Sequence, residues 1–139
     1  MRTTMFVLYA MVLLGGGCAA RHAGSFCGQG LKPDQVGFIA EDAVARLAAA
    51  YPPGRTAVHL IAAPHDRFGE SLETLLRGRG FRLEPTAGAG VLDVTYTLDA
   101  LQGEMGAWYL HVAVSDGFAF ARVYSVAEAT APDSGIAQT

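Results

Sequence analysis

The chain is 139 residues long, 51% hydrophobic and 17% charged, proportions that suit one folded domain and exclude a disordered tail or a repeat array. Its formal net charge is −3, with Lys32 the only lysine, so no basic face is available for nucleic acid. Two cysteines, Cys18 and Cys27, are too few for a disulfide framework.

Residues 1–17 read as an export signal: Arg2 supplies the positive start, Met5 to Leu14 the apolar run, and Gly15, Gly16 and Gly17 the small residues before Cys18. A transmembrane anchor needs about 20 apolar residues, and here the glycines, then Arg21 and His22, end the run at roughly half that length. The end of this segment resembles a bacterial lipobox, with Gly15 standing where such signals usually carry leucine. That resemblance implies cleavage before Cys18 and acylation of Cys18, which becomes the mature N-terminus. Several acyl chains, at ~0.8 kcal/mol per buried methylene, would tether the protein without making it span. Ala19 after the cysteine implies, by the sorting pattern of such lipoproteins, an outer-membrane location with the domain facing the periplasm. Ordinary signal cleavage with a free Cys18 is the other reading. Once Cys18 is acylated, Cys27 has no intrachain partner and is either a free thiol or an interchain crosslink.

Residues 18–31 are rich in Gly and Ala without periodicity, which predicts an acylated N-terminus followed by a flexible spacer. A single globular domain is expected over residues 32–128. Pro33 and Asp34 start a helix whose apolar positions, Val36, Ala40, Ala43, Val44, Leu47, Ala48 and Tyr51, recur at helical spacing until Pro52-Pro53-Gly54 forbids continuation. Thr56 to Ala62 predicts a strand. A second helix follows from about Arg67 to Arg79, with Asp66 as N-cap, Phe68, Leu72, Leu75 and Leu76 inward, and Gly80 placed for a left-handed C-terminal cap.

Phe81 to Glu84 alternates as a strand, and Leu92, Val94, Tyr96 and Leu98 alternate with Asp93, Thr95, Thr97 and Asp99 in a longer one. Trp108, Leu110, Val112 and Val114 repeat that pattern, and Asp116-Gly117 is the pair a two-residue type I′ hairpin requires before a last strand from Phe118 to about Val126. The expected fold is α+β, of order αβαββββ: two helices on one face of a mixed sheet of four to five strands ending in an antiparallel meander. Residues 129–139 have no period and are expected to be disordered.

No catalytic constellation is legible. Ser71 lacks the second glycine of a nucleophile elbow and falls within a predicted helix. His22, His59, His65 and His111 match no common metal spacing, and neither a metal nor a cofactor is expected beyond the lipid on Cys18. The carboxylates read as solvated faces, and Arg67, Arg77, Arg79 and Arg82 as partners for Glu70, Glu73 and Glu84. The aromatics are more suggestive: Trp108, Tyr109, Phe118, Phe120 and Tyr124 crowd into the last hairpin, and strict alternation from Asp116-Gly117 cannot bury them all. They form a candidate partner surface.

Taken together, the LLGGGCAA signal, LAAAYPPGRTAVHL, FGESLETLLRGRGF, LDVTYTLD and ARVYS, in that order, resemble the TrbH-type conjugal transfer lipoproteins over residues 1–126. The resemblance implies a structural lipoprotein of a conjugative type IV secretion (mating-pair formation) apparatus, with other secretion-apparatus proteins of the envelope as partners. It also implies several copies in a ring assembly, no direct contact with DNA and no enzymatic activity. The chain is similar too to small periplasmic domains such as the N-terminal domain of TolB. That likeness implies instead binding or activation of another envelope protein, such as a peptidoglycan synthase.

Overall fold

The computed structural model describes residues 24–125. The export signal, Cys18 and the tail 129–139 lie outside the described residues. Helix α1 spans Pro33–Ala50 and α2 Arg67–Arg79; the strands are β1 Phe26–Cys27, β2 Ala57–Leu60, β3 Arg82–Leu83, β4 Val91–Ala100, β5 Ala107–Val114 and β6 Ala119–Ser125. They form one six-stranded mixed sheet, five strands in the order β3-β2-β4-β5-β6 with β1 pairing beside them on β4, and both helices pack on the same face, as expected of the α+β fold. β2 runs parallel to β3 and β4, whereas β4, β5 and β6 form the antiparallel meander.

Local chemistry sets the helices. Pro33 opens α1 with a fixed φ, and the Lys32 N–H is taken by the Gln35 side chain at 2.9 Å, half of a capping box. Val36, Ile39, Ala40, Ala43, Val44 and Leu47 form the buried stripe of α1, its alanines letting the helix approach the sheet closely. In α2 the Asp66 carboxylate accepts from the Phe68 N–H at 2.8 Å, and Gly80, at φ 96, closes the helix in the left-handed conformation. Phe68, Leu72 and Leu76 face the core.

The sheet contributes one face. Val94, Tyr96 and Leu98 of β4 stand beside Val114, Val112 and Leu110 of β5, all buried under the helices. Tyr96 meets Phe68 edge to face, ring centroids 5.0 Å apart.

Two expectations need correction. Residues 18–31 were expected as a spacer, but Phe26 and Cys27 pair in parallel with Thr97 and Leu98, on the same side of β4 as β2. The Gly28 N–H donates to Leu98 O at 2.7 Å, and the Ser25 hydroxyl donates to Ile61 O while accepting from the Tyr96 N–H. Partners far along the chain hold this segment, so its own composition gives no sign of order, and the sheet has one strand more than expected.

The β5–β6 turn also differs. Gly117 has φ 99, but Asp116 keeps a negative φ, so a type I′ turn is excluded. The Gly117 N–H bonds Val114 O at 3.0 Å and the Val114 N–H bonds Phe118 O at 2.8 Å, giving a three-residue loop of Ser115, Asp116 and Gly117. One extra loop residue shifts the pairing by one and places Trp108 opposite Tyr124.

Candidate functional site

The helices cover one face of the sheet and leave the other open. On the open face the paired rows are His59 with Asp93; Thr95, Ala113 and Ala119; Phe26, Thr97, His111 and Ala121; and Asp99, Tyr109 and Val123. Polarity falls across it, from Asp and Thr on β4 to Ala, Ala and Val on β6. Phe26 is 51% exposed, Val123 50% and Tyr109 37%, so three of the five exposed large apolar residues among those described lie on this face. The fixed charge at its β2 side is paired: His59 Nδ1 lies 2.9 Å from Asp93 Oδ1.

Beneath β1 lies a buried polar cluster. The Tyr96 hydroxyl donates to Asp66, which is 8% exposed and also caps α2. Burial, then the Asp66 hydrogen bond and charge, push the Tyr96 phenol far above its ordinary range. Gly69 makes this contact geometrically feasible, because a Cβ there would sit 2.5 Å from the Tyr96 hydroxyl and 2.8 Å from Ala62 Cβ. A cleft of about 480 Å³ runs beside it, bounded by the 27–31 and 63–67 segments.

Cys27 is a free, half-buried thiol in this cleft. Burial first, then the negative charge of Asp66 and a hydrogen bond to it, push its pKa up to about 12. The thiolate needed for oxidation or crosslinking is therefore scarce at neutral pH. Alkylation of Cys27 at pH 8, followed at the peptide level, should run at least about tenfold slower in the folded chain than in denaturant, the loss of thiolate outweighing the gain in intrinsic nucleophilicity. Equal rates would show an exposed, reactive thiol.

A third cluster ties α1 to β6. Asp42 accepts from Arg46 at 2.9 Å, Arg122 at 3.0 Å and the Tyr124 hydroxyl at 2.7 Å. Partial burial acts to raise the Asp42 carboxyl, but hydrogen bonds from Tyr124 and Arg46 and the charges of Arg122 and Arg46 outweigh it and hold the group below its ordinary value. Arg122 stacks over Tyr124 and Arg46 over Phe120, at 5.2 and 5.8 Å from the ring centroids.

The five hairpin aromatics do not form one surface. Trp108 and Tyr124 are buried on the helix side. Phe118 and Phe120 are partly buried beside them, Phe118 against Tyr51. Tyr109 alone points to the open face. The surface instead includes Phe26, hidden in the presumed spacer, and Val123, which correct alternation along β6 would have found.

Other sequence candidates stay apart. His59 and His111 sit on strands separated by β4, and His65 lies in the loop before α2. Among the described residues no three of His, Cys, Asp and Glu are grouped to hold a metal ion. Ser71 lines a groove between the helices with Gly37, Glu41, Glu70, Thr74 and Leu75. Arg77 pairs with Glu73 at 2.9 Å and Arg82 with Glu84 at 2.8 Å, exposed contacts of small energy. No helix among the described residues is long and apolar enough to cross a membrane.

The fold and these surfaces define a small α+β domain whose exposed apolar groups gather on an open sheet face and along one strand edge, a class suited to docking. The profile of the conjugal transfer protein TrbH family matches residues 21–138, nearly the whole chain, and the protein belongs to that family. Neither a curated protein nor a solved structure matches the chain.

Proposed function

We propose that this protein is an outer-membrane lipoprotein, acylated on Cys18 and facing the periplasm, that serves as a structural component of a conjugative type IV secretion apparatus. The family match over residues 21–138 carries the reading, because it makes conjugal transfer the process in which the chain takes part. The signal ending at Cys18 supports the place. The domain acts as a tethered docking module rather than an enzyme, and its partners are other envelope proteins of the apparatus. Six residues lie between Cys18 and Ser25, where the fold begins, so the anchor holds the domain within about 25 Å of the bilayer surface.

Deleting the gene should abolish or sharply lower transfer of the element that encodes it, and the wild-type gene supplied in trans should restore it. Unchanged transfer would reject the reading. Replacing Cys18 with serine should abolish incorporation of labelled palmitate and release the protein from the membrane fraction, whereas Cys27→Ser should leave labelling intact. Equal labelling of the Cys18→Ser chain would place the lipid elsewhere.

A further inference from the structure

Strand β6 ends the sheet, and among the described residues its outer edge has no partner. Its ladder to β5 begins with the bond from the Val114 N–H to Phe118 O, while the Ser115 N–H turns the other way, to Asp93 O on β4. Antiparallel ladders alternate, so Phe120, Arg122 and Tyr124 bond β5, and Ala119, Ala121, Val123 and Ser125 present their backbone groups outward.

The usual protections of an edge are few here. β6 is seven residues long, against two for the opposite edge β3, and it contains neither proline nor lysine. Its one charge, Arg122, is held by Asp42 and the Tyr124 ring. Exposed apolar groups flank the edge on both sides: Phe38 of α1, 41% exposed and packed on Tyr124, above it, and Val123 on the open face below.

The geometry points to a second copy of this chain as the occupant, its β6 added antiparallel to this one about a two-fold axis through Ala121. Axes at Phe120, Ala121, Arg122 or Val123 bring two or more pairs of outward backbone groups within β6 into opposition, and the Val123 axis sets the Ser125 hydroxyl of each strand against Ala121, polar against apolar. An axis at Arg122 sets two guanidinium groups directly opposite in a close pair, which is unfavourable. An axis at Phe120 matches Val123 with Gly117 in the turn and shortens the ladder. The Ala121 axis keeps Ala119, Ala121 and Val123 all paired within β6 and sets no like charges opposite. It pairs Ala121 with Ala121 and Ala119 with Val123 twice as hydrogen-bonded pairs, small apolar groups meeting on the open face. On the helix face it sets Arg122 beside the other copy's Phe120 twice, each guanidinium staying on its own Asp42 and Tyr124, so that no like charges meet. The strand is thus self-complementary in shape, as an isologous interface requires. The two sheets become one, and Phe38 and Val123 lie at the junction. The inference stands whether or not Cys18 carries lipid.

Mild oxidation of full-length chains tests the register, with the natural cysteines as background. Ala121→Cys should gain a disulfide-linked homodimer, since hydrogen-bonded partners sit with Cα atoms about 5.5 Å apart, within disulfide reach. Ala119→Cys and Val123→Cys should gain none singly, but a mixture of the two chains should crosslink. Ala121→Pro removes an outward N–H and should keep the monomer's circular dichroism and thermal midpoint while losing the dimer in sedimentation. No homodimer at Ala121→Cys, equal crosslinking at all three positions, crosslinking of Ala121→Cys to a different protein instead, or a dimer that survives Ala121→Pro would each overturn the inference.

Discussion

Replacing Gly69 with alanine is expected to lower the unfolding free energy by about 2–4 kcal/mol, even though alanine is the better helix former by about 1 kcal/mol. The new methyl would lie 2.5 Å from the Tyr96 hydroxyl, 2.8 Å from Ala62 Cβ and 3.4 Å from Asp66 Oδ2. Relieving those contacts either displaces α2 from the sheet, an overpacking cost of about 1–3 kcal/mol, or breaks the buried bond between Tyr96 and Asp66, at about 1–3 kcal/mol more. Gly37 in α1 is the matched control: a Cβ there meets nothing within 4 Å, so Gly37→Ala should gain about 1 kcal/mol from helix propensity alone. Urea midpoints at unchanged slope would measure both. If the two substitutions shift stability in the same direction, the close approach of α2 to Tyr96 is wrong.

Truncating Trp108 to alanine should cost about 3–5 kcal/mol, the range for a large aromatic removed from a core. Its ring is 7% exposed, stands opposite Tyr124 and lies under the 28–30 segment: a Cβ at Gly28 would be 3.3 Å from Trp108 Cζ3 and one at Gly30 3.7 Å from Cζ2. The loss should therefore loosen the first strand as well, visible as faster amide exchange at Gly28, whose N–H bonds Leu98 O. Tyr109→Ala, one residue away on the open face, should change stability by no more than about 0.5 kcal/mol. Equal effects at the two positions would mean that Trp108 is a surface group after all.

That contrast shows what was legible in the chain and what was not. Both helices were readable because their stops are local chemistry: Pro52-Pro53 after α1, and Asp66 and Gly80 around α2. The buried face of β4 and β5 was readable because polar and apolar residues alternate strictly along both. The candidate surface was misread through a single residue. Asp116-Gly117 fits a two-residue turn and also the end of a three-residue loop, and only the φ of Asp116 separates them. The shorter loop would put Tyr124 beside Tyr109 on the outside; the longer one puts Tyr124 beside Trp108 in the core. β1 was illegible for another reason. Two residues carry no period, and their order comes from Thr97, Leu98, Ile61 and Tyr96, partners no local pattern reveals.

β1 also imposes a chronology. Ser25 and Tyr96 are 71 residues apart, so the first strand waits for β4, beyond both helices, to be delivered before it can pair. A chain that emerges N-terminus first spends that interval with Ser25 to Gly28 unclaimed by the fold. A reagent directed at Cys27 meets an open segment early, and one closed against the domain once Tyr96 has arrived.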